Sequence, residues 1–200
     1  IVDNYFVKFG TVRKLTTAVA WLRRFTNYIK HNRLSDVTTP ITEIERREAE
    51  VAIVRVIQRQ AFPDVLELLE NRQNLPKRHW MSKFYPCLID GVLRVGGRIR
   101  RAPISFERRH PAVLPSTGHF SHLVIAEAHS SSLHSSVATV INNLRKKYWV
   151  PAARRTVKSI VDRCLLCKRW RSSNEGQLMA DLPLGRVQPG LNPFCKSGAD

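Results

Sequence analysis

From Thr11 to Arg33 apolar side chains recur every three or four residues, at Val12, Leu15, Val19, Leu22, Phe25 and Ile29. That is the period of an amphipathic helix, and this face is expected in the core. Thr39 followed by Pro40 predicts an N-cap with proline at the first helical position. Ile41, Ile44, Ala49, Ile53, Val56 and Ile57 then carry a second helix to about Gln60. Phe62-Pro63-Asp64 interrupts it, and Val65, Leu66, Leu68 and Leu69 predict a short third helix before the polar stretch NRQNLPKRH. Residues 1–78 are therefore expected to form a helical connecting region.

The period changes at Phe84. In FYPCLIDGVLRVGGRIR two short apolar runs flank Asp90-Gly91, a pair suited to a tight turn with positive φ at both central residues, so a β-hairpin is predicted. Gly96-Gly97 invites a bulge or bend, and HPAVLP, His110 to Pro115, reads as another short strand bounded by prolines. Residues 79–115 form this β-hairpin segment. After Ser116-Thr117, read as an N-cap, Phe120, Leu123, Val124 and Ala128 restore a helical face up to His129. Ser136 is placed to cap a helix carrying Val137, Val140, Ile141 and Leu144. Beyond Pro151, a further helix carries Ala153, Val157, Ile160, Val161 and Cys164. The predicted fold is mainly α with a small β portion: the helical region, the hairpin, then at 116–172 a three-helix unit with helix-turn-helix-like packing. Residues 173–200, rich in Gly and Pro, read as a linker.

Chemistry enters with the spacing of four side chains. His129 and His134 stand before the last two helices, and Cys164 and Cys167 follow after twenty-nine intervening residues. Two helices of about twelve residues, each about 18 Å long at 1.5 Å per residue, would go out and return if antiparallel. The cysteines then come back beside the histidines. Two imidazoles and two thiolates make the tetrahedral set of structural zinc, with no vacant position for a substrate. Two other readings stand beside it: unliganded helix-end cysteines with surface histidines, and a redox Cys-x-x-Cys, for which the flanking sequence lacks a βαβ pattern. His122, seven residues before His129, competes for the first ligand position. His31, His79, His110 and His119 read as structural or surface residues.

Charge narrows the partners. The 200 residues carry 33 Lys and Arg against 16 Asp and Glu, a net charge of +17, which points to a polyanion, nucleic acid first. Within 119–173 there are ten basic residues against two acidic ones. Arg145, Lys146, Lys147, Arg154, Arg155, Lys158, Lys168, Arg169 and Arg171 are candidate nucleic-acid contacts, interleaved with Tyr148, Trp149 and Trp170. The competing reading is a solvated cationic face. An apolar content of 43% excludes the disordered class, and no apolar run reaches eighteen residues, so no membrane partner is expected. IVDNYFVKFG lacks the pattern of a signal peptide, and Cys87 and Cys195 have no spaced partner, so an intracellular, reducing setting is expected. The first residue is not Met and the last are NPFCKSGAD, so the chain is expected to be a piece of a longer protein.

The runs AHSSSLHSS, LRKKYWVPAARRTVKSIVDRCLLCKRW, MADLPLGRV and NPF..SGAD resemble the integrase region of the Pol polyprotein of Pao/BEL-type LTR retrotransposons, with its zinc-binding HHCC module. The likeness extends upstream through ITEIERREAEVAIVRVIQRQAF, LIDGVLRVGGRIR and HPAVLP, which resemble the connection between reverse transcriptase–RNase H and integrase. The resemblance implies Zn2+ on His129, His134, Cys164 and Cys167. It implies that Asp200 is the first of three catalytic carboxylates that hold Mg2+ or Mn2+ in the full-length integrase. It further implies binding to DNA at element ends and target, homo-oligomers in the full-length integrase, a cytoplasmic particle stage and then the nucleus. The fragment by itself is not expected to be an enzyme. Three positions depart from the family pattern: Ser136 where glycine is common, Cys87 in place of an aromatic, and Cys195-Lys196 within the approach to the core. Two rival functions remain at this point: a stand-alone or domesticated zinc-dependent nucleic-acid-binding protein, and a protein-interaction module.

Overall fold

The computed structural model describes residues 6–31, 39–97, 99, 101–172, 181, 182 and 187. The first helix, α1 (Val12–His31), packs along the second, α2 (Glu43–Ala61). The N-cap of α2 is Thr42, not Thr39: its hydroxyl accepts from the Glu45 N–H while the Glu45 carboxylate accepts from the Thr42 N–H. This reciprocal pair satisfies two orphan donors at once, which a cap at Thr39 could not do, because the residue three positions on would be Thr42, with no carboxylate to reach back.

The buried face of α1 also differs from the expected one. Leu15, Thr16, Ala20 and Arg24 are buried, whereas Leu22, Phe25 and Ile29 face solvent. The cause is a polar clasp at this end of the pair. The Arg24 guanidinium forms two parallel bonds with Glu45, at 2.8 and 2.7 Å, and also donates to the carbonyls of Thr39 and Pro40. Holding Arg24 inward rotates the C-terminal half of the apolar stripe outward. On α2, Ala49, Ile53 and Ile57 are buried as expected, but Ile44 and Val56 are exposed, and Gln58 is buried in their stead.

Pro63 opens the third helix, α3 (Pro63–Glu70), as anticipated. A 3-10 turn at Trp80–Phe84 leads into the hairpin, β1 (Pro86–Ile89) and β2 (Val92–Val95), whose turn residues Asp90 and Gly91 have φ of 52° and 67°. Gly96 is required by contact: a Cβ there would lie 2.4 Å from the Tyr85 carbonyl oxygen, to which the Gly96 N–H donates. A single turn of helix, α4 (Phe106–Arg109), precedes β3 (Ala112–Val113), which pairs antiparallel with β2.

The fourth strand, β4 (Tyr148–Trp149), lies parallel to β3, giving the order β1-β2-β3-β4. Parallel neighbours need a long crossover. Here it consists of α5 (His119–Ser131) and α6 (Val137–Leu144), and the chain continues after β4 into α7 (Ala153–Arg163) and α8 (Leu165–Arg171). Gly118, with φ 113°, stands at the N-cap of α5, beyond the expected Ser116-Thr117. Ser136 caps α6 by accepting from the Thr139 N–H, and its φ of −59° demands no glycine.

The sheet is fastened by one amide. Gln58 donates to the carbonyls of Leu93 and Val113 and accepts from the Leu93 N–H, at 2.7–2.8 Å, tying α2 to β2 and β3 together. One apolar cluster spans α1, α2, α5, α6 and α7 through Leu15, Ile53, Ile57, Phe120, Ile125 and Val157. A smaller one, Val65, Leu66, Met81, Leu93 and Val113, lies under α3 and the hairpin. The chain divides into two units, Ile1–Trp170 and Arg171–Asp200. Among the described residues no helix is long and apolar enough to cross a membrane. Cys195 and Asp200 lie outside the described residues.

Candidate metal centre

The crossover delivers both histidines and the helices after β4 deliver both cysteines. His129 occupies the last turn of α5 and is buried; His134 follows three residues after that helix ends. To turn back this quickly the backbone adopts left-handed conformations at Leu133 and His134, φ 51° and 58°, costly for residues with a Cβ. The loop is pinned from α6: the Asn143 amide donates to the Ser132 hydroxyl at 2.7 Å, and that hydroxyl donates to the Ala128 carbonyl. On the other side Cys164 ends α7 and Cys167 lies within α8. The cysteines return beside the histidines as their spacing predicts, whereas α8, the Asn143 contact and the strained loop have no counterpart in the predicted elements.

The four ligand atoms lie within 4.8 Å of one another. His129 Nε2 is 3.1 Å from His134 Nδ1 and 3.2 Å from Cys167 Sγ, and Cys164 Sγ is 3.3 Å from His134 Nδ1. A tetrahedral zinc ion with bonds of about 2.0 Å to nitrogen and 2.3 Å to sulfur has edges of about 3.3–3.8 Å, so the set fits. The donor chemistry fits as well, because two imidazole nitrogens and two cysteine sulfurs are the N and S ligands that structural zinc takes. The Cys164 thiol is held below its ordinary range, chiefly by the Cys167 backbone N–H directed at it, partly opposed by desolvation. A lowered thiol favours the thiolate that a metal needs.

His122 is exposed and stands outside this cluster, so the competition for the first ligand falls to His129. His119 donates from Nε2 to the Phe9 carbonyl, His79 caps the 3-10 turn, and His110 sits beside the Val95 carbonyl, all structural roles as expected. His31 ends α1.

The basic residues divide into groups. Arg145, Arg154, Arg155 and Lys158 line one groove between α6, β4 and the start of α7. Lys147 instead turns toward α2, where its ammonium meets Glu50 at 2.6 Å; the Tyr148 hydroxyl donates to the same carboxylate. Burial and the nearby Glu50 charge push the Tyr148 phenol well above its ordinary value, so it stays a donor. Lys168 and Arg169 follow Cys167 directly on α8, Arg171 is the last residue of that helix, and Lys146 is exposed just after α6.

Residues 118–173 match the family model of the integrase zinc binding domain, a span that contains all four ligands. The match supports a retroelement integrase region in this part of the chain, in a module that carries no catalysis of its own. No curated protein and no solved structure matches the chain.

Proposed function

We propose that this chain is part of the Pol polyprotein of a Pao/BEL-type LTR retrotransposon, and that its zinc module helps an integrase bind and assemble on element DNA. The observation that carries this is the coincidence, within residues 118–173, of the family match, four convergent ligands and a groove edged by four cations. The lineage rests on the sequence resemblance upstream and downstream of that module. In this reading zinc is structural: the four side chains hold it and leave no position for a substrate. Strand transfer belongs to a catalytic core in which Asp200 supplies one carboxylate toward Mg2+ or Mn2+. Homo-oligomers in the full-length integrase are supported by the large apolar side chains exposed around the metal ligands, Leu133, Leu165, Leu166 and Trp170. The particle is cytoplasmic before integration and nuclear during it.

The test is a salt titration of DNA binding by the zinc-loaded chain. Affinity should fall steeply with salt and depend weakly on sequence, since the cations offer phosphate contacts. Changing Arg154, Arg155 and Lys158 together to Ala should reduce the slope of log K against log salt by about 3 on duplex DNA. An unchanged slope refutes the assignment of α7 to the DNA interface.

A further inference from the structure

The groove edged by Arg145, Arg154, Arg155 and Lys158 has a volume of about 830 Å3. None of its lining residues is acidic. Its floor, however, is apolar: Val137, Ala138 and Ile141 of α6, Val150, and Ala153 of α7, with Trp149 set into it. The indole ring carries the Arg145 guanidinium 5.0 Å from its centroid and the Phe84 ring at 5.2 Å. Its N–H is buried and finds no acceptor among the described residues. The N-terminus of α7 also opens here, its N-cap Ala152 providing no side-chain acceptor and standing at φ 50°.

These features ask for different things of a ligand. Cations at the rim suit phosphates of any nucleic acid. An apolar floor gains nothing from the polar, convex backbone of a duplex, which is too wide to enter such a groove. An unpaired base brings an apolar face that can settle on the floor or on the guanidinium–indole stack, while its flanking phosphates stay at the rim. Resting on the nucleic-acid reading above, we infer that this groove takes single-stranded nucleotides at a frayed or tailed DNA end, in preference to paired ones.

The experiment uses the zinc-loaded full chain and measures fluorescence anisotropy with two probes: a blunt duplex, and the same duplex carrying a short single-stranded tail. The tailed probe should bind about tenfold tighter, the change expected from stacking one base. Ala138→Leu places a plug with no aromatic face in the groove from an exposed position on α6, and Asn142→Glu sets a carboxylate there against the phosphates. Both variants should erase the preference for the tail. Equal affinity of the native chain for the two probes, or a preference that survives both variants, overturns the groove assignment and leaves duplex binding standing. Failure to bind either probe overturns the nucleic-acid reading itself.

Discussion

The sheet end and the metal-ligand end of the molecule are held by different fasteners. At the sheet end Gln58 is fully buried, and its amide closes three hydrogen bonds while apolar residues of α2, α3 and the hairpin pack around it. At the ligand end large apolar side chains lie outside: Leu133 is 88% exposed, Leu165 80% and Trp170 87%. The helices α5–α7 behind the ligands share the larger apolar cluster, but residues 130–134 stay outside it and α8 gives it Cys167 alone. The contrast teaches where stability must come from. A buried amide can organise a sheet that already has a core, whereas a strained loop and a seven-residue helix need a metal to hold them.

The largest loss of stability is expected at the metal ligands. Cys167→Ser removes the buried thiolate, and the zinc-coupled folding free energy at such sites is on the order of 10 kcal/mol. Thermal unfolding of this variant should lose the zinc-dependent transition, and metal analysis should find the ion gone. The sheet end should respond less. Gln58→Leu leaves the Leu93 N–H and two carbonyls without their partner, so urea unfolding should show a loss of about 2–4 kcal/mol, with zinc content unchanged. If Gln58→Leu also released the metal, the two fasteners would not be separate.

A smaller effect sits at the Arg24–Glu45 clasp. The Arg24 guanidinium bonded to it lowers the Glu45 carboxyl from 4.5 to about 2, against a smaller desolvation effect. A folded pKa below the unfolded one means that unfolding takes up a proton in acid. The contribution is therefore complete above about pH 4.5 and fades as pH falls toward 2. In Glu45→Gln this part of the acid sensitivity should vanish when stability is followed across that window. Glu45 is partly exposed, so the change should be modest and should shrink in high salt.

What the sequence disclosed follows from how local each signal is. The Asp90-Gly91 hairpin and the Ser136 cap depend on a few adjacent residues and were legible. The ligand set was legible because zinc imposes residue types, and because two helices of the right length return the chain. The strand β4 was not: two residues pair with β3 across a crossover of more than thirty residues, and no local pattern encodes that. The Thr42–Glu45 capping signal was present, but Thr39-Pro40 competed with it, and only Glu45 could close the reciprocal pair. The outward face of α1 was misread because periodicity ranks apolar residues and says nothing of a buried arginine claiming the interior. Asn143, an ordinary polar residue in the helical pattern, shows its part in pinning the ligand loop only in three dimensions.

His129, His134, Cys164 and Cys167 are placed to hold one metal ion, which would organise the ligand loop and α8, whose large apolar side chains stay outside the core. Metal analysis followed by hydrogen–deuterium exchange, with and without a zinc chelator, tests this directly. One zinc per chain should be found. Chelation should strip protection from the end of α5, from α6 and from α7–α8, while β1, β2 and the Gln58 end of α2 keep theirs. Absence of zinc from the purified protein, or identical exchange with and without the chelator, would contradict the account.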